Sequence, residues 1–258
     1  NECKEITMSD VTVILNGYKR KEQLNEQLDA IRNQSVKVES VMLWYNQPDD
    51  DDMVNYDIMS EIPTAFSNVN LGVWARFAYA FNAQTKYVCV FDDDTIPGKK
   101  WIENCLNTIK THRGLLGTVG LLYTIPMPAG PHSTYYEHYI RFGWNHNNTK
   151  VQEVDLVGHS WFFEREWLSA MWRELPNPKY TTCGEDMHFS YMIQKYLDLK
   201  TYVPPHPASD KEMWGSLKGS EYGRVHSLWT EGPKNQRELV GQFFNEQRNK
   251  GWKLVNDR

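Results

Sequence analysis

Three consecutive carboxylates end an apolar run in this chain, where residues 87–94 read YVCVFDDD. Asp92, Asp93 and Asp94 stand so close that each raises the pKa of its neighbours and works against folding. A bound dication removes that penalty, because Mn²⁺ or Mg²⁺ takes carboxylate oxygens and keeps open positions for phosphate oxygens. Side chains of extended backbone alternate faces, so Asp92 and Asp94 can hold one ion while Asp93 points away. An acidic turn with Asx caps, followed by Pro97, would also account for the triplet. A second acidic pair, Glu185 and Asp186, follows Gly184 at the head of a segment with helical periodicity. A carboxylate there can take the proton of an attacking hydroxyl. It can equally serve the positive end of a helix dipole, which favours the ionised form.

These groups need elements to hold them. Residues 11–15 (VTVIL), 41–45 (VMLWY) and 87–91 (YVCVF) read as short buried strands. Between them, residues 21–34 carry Leu24, Leu28 and Ile31 on one helical face. A further helix begins at Val73 with Phe77 and Phe81 at i+4 and i+8. Residues 101–112 form a helix with the stripe Ile102, Cys105, Leu106 and Ile109, and residues 117–123 form a strand. This alternation predicts an α/β fold: a mostly parallel, doubly wound central sheet flanked by helices. Ligands of such sheets bind at the carboxyl ends of the strands. Asn16, Asn46 and Asp92 all fall there.

The second half is less regular. Residues 126–148 read as long loops, 154–163 as one or two strands, and 166–174 as a short helix. The Glu185 helix has the stripe Phe189, Met192, Ile193 and Tyr196. A strand follows at 200–203, a Gly-rich loop at 215–223 and a helix at 236–250. Lys218 in that loop could offset leaving-group charge, with Trp214, Gly215 and Gly219 as its companions. The run of four Asp at 49–52 reads as a solvated loop.

Composition narrows the function classes. The chain has 258 residues and a formal net charge of −5, with no basic patch, which argues against nucleic acid. Four Cys match no zinc pattern or disulfide framework, and Cys89 and Cys105 read as core residues. No apolar stretch is long enough for a transmembrane helix, and no signal peptide is legible. A cytoplasmic location is the expectation, although the chain starts at Asn1 and an anchor could precede it. The oligomeric state is not legible. Ten Trp, 14 Tyr and ten Phe permit stacking platforms for sugar rings as well as a bulky core.

Taken in order, several segments resemble the GT-A glycosyltransferases, especially family 2. VTVILNGYKR (residues 11–20) resembles that family's nucleotide-binding start. NLGVWAR (70–76) resembles its segment ending in Ala-Arg, YVCVFDDDTIP (87–97) its metal-binding D-x-D segment, and GEDMHFSYMIQKY (184–196) its later E-D segment. The resemblance covers roughly residues 10–203. Asn46 stands where the family often has Asp.

The resemblance implies a Rossmann-like GT-A fold in one domain over residues 1–258. Residues 10–125 would be the nucleotide-sugar and metal half, and 126–258 the acceptor half with a C-terminal extension. It implies that Asn16, Tyr18 and Arg20 line the nucleoside pocket with Asn46 near the base. Arg76 would approach the diphosphate or position Asp92, and Asp92 would contact ribose or a metal-bound water. Asp94 would ligate the metal, with His226, or else His206, as a late third ligand. His159 and Trp161 would build an acceptor wall. Asp186 would be the general base, with Glu185 the second choice.

The reading is therefore a transferase using Mn²⁺ or Mg²⁺. It moves sugar from a nucleotide-diphosphate donor, UDP favoured, to a glycan or other hydroxyl acceptor, with inversion. A retaining transferase with the same donor site, a nucleotidyltransferase and a non-catalytic carbohydrate-binding scaffold are the alternatives. The single Gly of residues 16–20 counts against the nucleotidyltransferase.

Overall fold

The computed structural model describes residues 8–125, 135–223 and 232–258. Its first half alternates strand and helix: β1 (Met8–Gly17), α1 (Lys21–Arg32), β2 (Lys37–Asn46), α2 (Tyr56–Glu61), β3 (Thr64–Ser67), α3 (Ala75–Tyr79), β4 (Tyr87–Phe91), α4 (Trp101–Thr111) and β5 (Gly114–Tyr123). The second half adds β6 (Tyr139–Phe142), β7 (Gln152–Val154), β8 (Leu156–Glu164), α5 (Leu168–Met171), α6 (Glu185–Leu197), β9 (Lys200–Val203), α7 (Gly219–Tyr222) and a C-terminal helix, Gln236–Asn249. All nine strands join one sheet, ordered β3-β2-β1-β4-β8-β5-β9-β7, with β6 beside β5.

The sheet is parallel from β3 to β4, as the alternation predicts. Beyond β4 it becomes mixed. β8 enters between β4 and β5 and runs against both, pairing Phe91 with Ser160 and Leu116 with Phe162. Val11, Val13, Ile14 and Leu15 of β1 and Val88 to Phe91 of β4 are fully buried, as continuous apolar strands covered on both faces should be. Leu24, Leu28 and Ile31 of α1 and Ile102, Cys105 and Ile109 of α4 press onto the sheet. Each such side chain contributes about 1.5–3 kcal/mol of burial. Cys89, Cys105 and Cys183 are buried free thiols; Cys3 lies outside the described residues.

Local detail departs from expectation in several places. The helix expected from Val73 is short and tightens to a 3₁₀ turn at Ala80–Asn82. Three residues per turn shifts the face, so Phe77 is buried while Phe81 is exposed. Within the region expected to be loops, Tyr139–Phe142 forms β6 against β5. The expected Gly-rich loop carries the helical turn α7. Among the described residues no helix is long and apolar enough to cross a membrane.

Candidate active site

The carboxyl ends of β1, β2 and β4 meet at one edge of the sheet, and the Asp triplet emerges there. Gln27, fully buried on α1, fixes its path: its side-chain amide donates to the carbonyls of Asp92 (2.7 Å) and Thr95 (2.6 Å). The chain turns at once, with the Thr95 N–H donating to the Asp92 carbonyl at 3.2 Å. Antiparallel β8 then brings His159 opposite Asp92, whose N–H donates to the His159 carbonyl at 2.9 Å. His159 takes a positive φ of 66°, a strained setting for a residue with a Cβ and one that clusters at functional sites.

Asp92, Asp94 and His159 each offer a ligand atom within 4.8 Å of one another. His159 Nδ1 lies 3.5 Å from Asp94 Oδ1 and 3.7 Å from Asp92 Oδ2, yet it is buried without a well-formed hydrogen bond. Two carboxylates and an imidazole nitrogen without a hydrogen bond form a donor set that a divalent cation could take. Burial alone would raise the Asp94 carboxyl, but His159, Arg20 and Thr95 hold it down to about 2. Burial lowers and the two aspartates raise His159, which ends above its ordinary value. Residues 92–94 lie past the end of β4, with Asp93 and Asp94 in a turn, so strand alternation does not govern them; Arg20 engages Asp93, and burial still leaves its carboxyl pushed up to about 6.

Two buried arginines tie the acidic groups together. Arg20 reaches Asp93 and lies 3.6 Å from Asp94. Arg76 on α3 bridges Asp92 Oδ1 (2.5 Å) and Glu185 Oε1 (2.9 Å), joining the end of β4 to the start of α6. Four carboxylates thus face two arginines and one imidazole. Burial raises Glu185, the nearby Asp186 and Asp92 add to this, and Arg76 opposes it. Burial likewise pushes the Asp186 carboxyl up to about 6, against the Met187 N–H, which donates to Asp186 Oδ1 at 2.7 Å.

The loop before Arg76 shows what its residue types do. Asn70 Oδ1 accepts from the Gly72 N–H at 2.8 Å, and Gly72 turns the chain at φ +73°. The Val73 N–H donates to the Thr181 carbonyl at 3.0 Å, so this turn docks on the segment leading into α6. A methyl on Gly72 would collide with that same carbonyl. Gly72→Ala is expected to cost about 1–3 kcal/mol through backbone strain alone. A melting temperature equal to wild type would refute this. At the head of α6, Gly184 has φ +93°, and a Cβ there would come within 2.7 Å of Phe243 on the C-terminal helix.

Several expected roles change. Trp161 is 1% exposed and packs edge-on against Phe77 at 5.2 Å, with the Arg76 guanidinium 4.9 Å from its ring. It supports Arg76 from the core, where no acceptor can reach it. His159, expected in the acceptor wall, belongs to the Asp92–Asp94 cluster instead. His206, an alternative third ligand, is fully buried, stacks on Trp214 at 4.5 Å and bonds the Trp144 carbonyl at 3.1 Å. Burial lowers it to about 4, so it is a neutral structural histidine. His226 lies outside the described residues.

The Asn46 amide oxygen accepts from the Leu71 N–H (3.1 Å) and Trp44 Nε1–H (3.2 Å), so its side chain braces the 70–72 loop rather than facing a base. Lys218 pairs with Glu26 at 2.7 Å and donates to Tyr222 Oη at 2.9 Å. Asn16 and Tyr18 are half-buried at and just past the end of β1. Sequence reasoning missed Trp144, whose ring packs at a tilt of 47° against His159 with centroids 4.2 Å apart. Its φ of +49° carries no sequence signal.

No family model matches the chain, and no curated protein matches it. Its fold is similar to that of S. aureus TarS. Against a structure of TarS 1–349 in complex with UDP it is 16% identical, covering 77% of this chain and 58% of that one, with a TM-score of 0.51. Against a second TarS structure it is 14% identical, covering 93% and 43%, with a TM-score of 0.50. The chain therefore spans about half the length of the structures it resembles. The likeness shows the fold: a GT-A-like α/β fold, shared with TarS.

Proposed function

We propose that this protein transfers a sugar, with inversion, from a nucleotide-diphosphate donor, UDP favoured, to a hydroxyl of a glycan or similar acceptor, in a metal-dependent reaction. The convergence of Asp92, Asp94 and His159 within 4.8 Å carries this reading, in a fold shared with a protein that binds UDP. These three residues would hold Mn²⁺ or Mg²⁺. When bound, the dication stabilises charge on the diphosphate leaving group. Arg76 keeps Asp92 and Glu185 in place, and Arg20 does the same for Asp93 and Asp94. Asn16 and Tyr18 line the nucleoside side of the cleft. Asp186 takes the acceptor's hydroxyl proton as its oxygen bonds to the anomeric carbon, while the bond from that carbon to the diphosphate oxygen breaks. Lys218 can approach the departing diphosphate only by leaving Glu26.

A thermal-shift panel of UDP, GDP and dTDP, each with and without Mn²⁺, tests the donor site. UDP with Mn²⁺ is expected to raise the melting temperature more than the sum of either alone. If no nucleotide stabilises the protein in a metal-dependent way, the transferase reading fails.

A further inference from the structure

The cations nearest the site are committed to carboxylates: Arg20 to Asp93 and Asp94, Arg76 to Asp92 and Glu185, and Lys218 to Glu26. Arg141, on β6, differs. Its guanidinium lies 5.8 Å over the Trp144 ring, and the Trp144 ring packs at a tilt against His159 with centroids 4.2 Å apart. The Arg141 charge is felt at His159 and at Tyr135, and Tyr135 in turn feels Asp186. Arg141 thus lies over Trp144 beside the Asp92–Asp94–His159 cluster, while Tyr139, two residues before it on β6, meets Tyr123 at 6.0 Å, and the Tyr123 hydroxyl donates to the Tyr135 carbonyl at 2.9 Å. Among the described residues no carboxylate pairs with it, and its Nε is buried without a hydrogen-bond partner.

A desolvated donor on an unpaired cation is unfavourable until an anion meets it. The planar guanidinium fork matches carboxylate or phosphate geometry. The donor's diphosphate belongs beside the metal cluster, whereas Tyr135 and Asp186 mark the side where an acceptor hydroxyl must sit. We propose that Arg141 receives a carboxylate or phosphate carried by the acceptor, which makes the acceptor an acidic sugar or a sugar phosphate. This rests on the transferase reading above.

Calorimetric titration of the whole chain with glucose, glucuronic acid and glucose 6-phosphate tests it, once with UDP and Mn²⁺ and once without nucleotide. The better of the two acids is expected to bind at least about tenfold tighter than glucose, the worth of a charged hydrogen bond. Arg141→Gln should erase that preference with UDP affinity and melting temperature unchanged, and Arg141→Lys should keep part of it. Which acid wins distinguishes carboxylate from phosphate. Acids no tighter than glucose in the wild type, or a preference that survives Arg141→Gln, overturns the proposal. Loss of UDP affinity in Arg141→Gln also overturns it, by assigning the residue to the donor. If UDP fails to bind the wild type, the donor reading falls instead, and the acid preference without nucleotide still judges Arg141.

Discussion

Asp186→Asn is expected to bind the nucleotide donor as the wild type does and to transfer sugar about 10²–10⁴-fold more slowly, the usual contribution of a positioned general base. The amide is nearly isosteric and can still accept from the Met187 N–H, which now meets Asp186 Oδ1 at 2.7 Å. What it loses is the ability to take a proton. Turnover at saturating donor and Mn²⁺ measures this, with UDP affinity as the control. A variant that transfers sugar at the wild-type rate would remove Asp186 from the mechanism. The pH profile follows from the same group. Burial holds its carboxyl up to about 6, above the ordinary range, so the residue gains a proton as pH falls through 6. Only the ionised form is a base, so kcat/KM should fall about tenfold per unit below that point and level off above it. The low-pH limb should vanish in Asp186→Asn.

Asp94→Ala is expected to abolish the coupling between Mn²⁺ and nucleotide while leaving the fold intact. Asp94 is almost fully buried and supplies one of three candidate ligands; without it, Asp92 and His159 hold a dication poorly. Removing it also thins a crowd of carboxylates, since Asp94 raises the pKa of Asp93. Against that, His159 and Arg20 lose the carboxylate they hold ionised, so the ligand-free protein should still fold but melt somewhat below the wild-type temperature. At a hundredfold excess over Kd, a ligand stabilises by about 2.7 kcal/mol. For a chain of this size that is a rise on the order of 5–10 °C. Wild type should show that rise with UDP and Mn²⁺ together, and Asp94→Ala should lose nearly all of it. If the variant keeps the full metal-dependent shift, the ion is held elsewhere.

The first half was legible because its signals are local. Leu24, Leu28 and Ile31 announce α1, and the unbroken apolar run of β4 announces a strand covered on both faces. The triplet's position at the end of β4 followed directly. The second half was harder because its strands are short and their partners distant. β6 is four residues long and pairs Arg141 with Leu121, a match that no periodicity marks. His159 was assigned to the acceptor wall for the same reason. Its place beside Asp92, 67 positions away in sequence, depends on β8 lying antiparallel to β4, as the Asp92–His159 backbone bond records. Trp161 and His206 have side chains suited to ligands, but burial decided their use. An indole or imidazole looks the same in a sequence whether it faces a cleft or the core.

The junction of Gly184 with Phe243 gives the end of the chain an unexpected weight. The tail resembled nothing recognisable, yet its last long helix sets Phe243 against Gly184, where the backbone turns at positive φ into the Glu185–Asp186 corner. Phe243 also meets Tyr180 edge-on at 4.8 Å, and Trp252 meets Phe244 in the same way at 5.7 Å. Phe243, Phe244, Trp252 and Leu254 belong to the same core as the central sheet, so a shortened variant would lose stability together with the Glu185–Asp186 corner, and its inactivity would not speak against the chemistry.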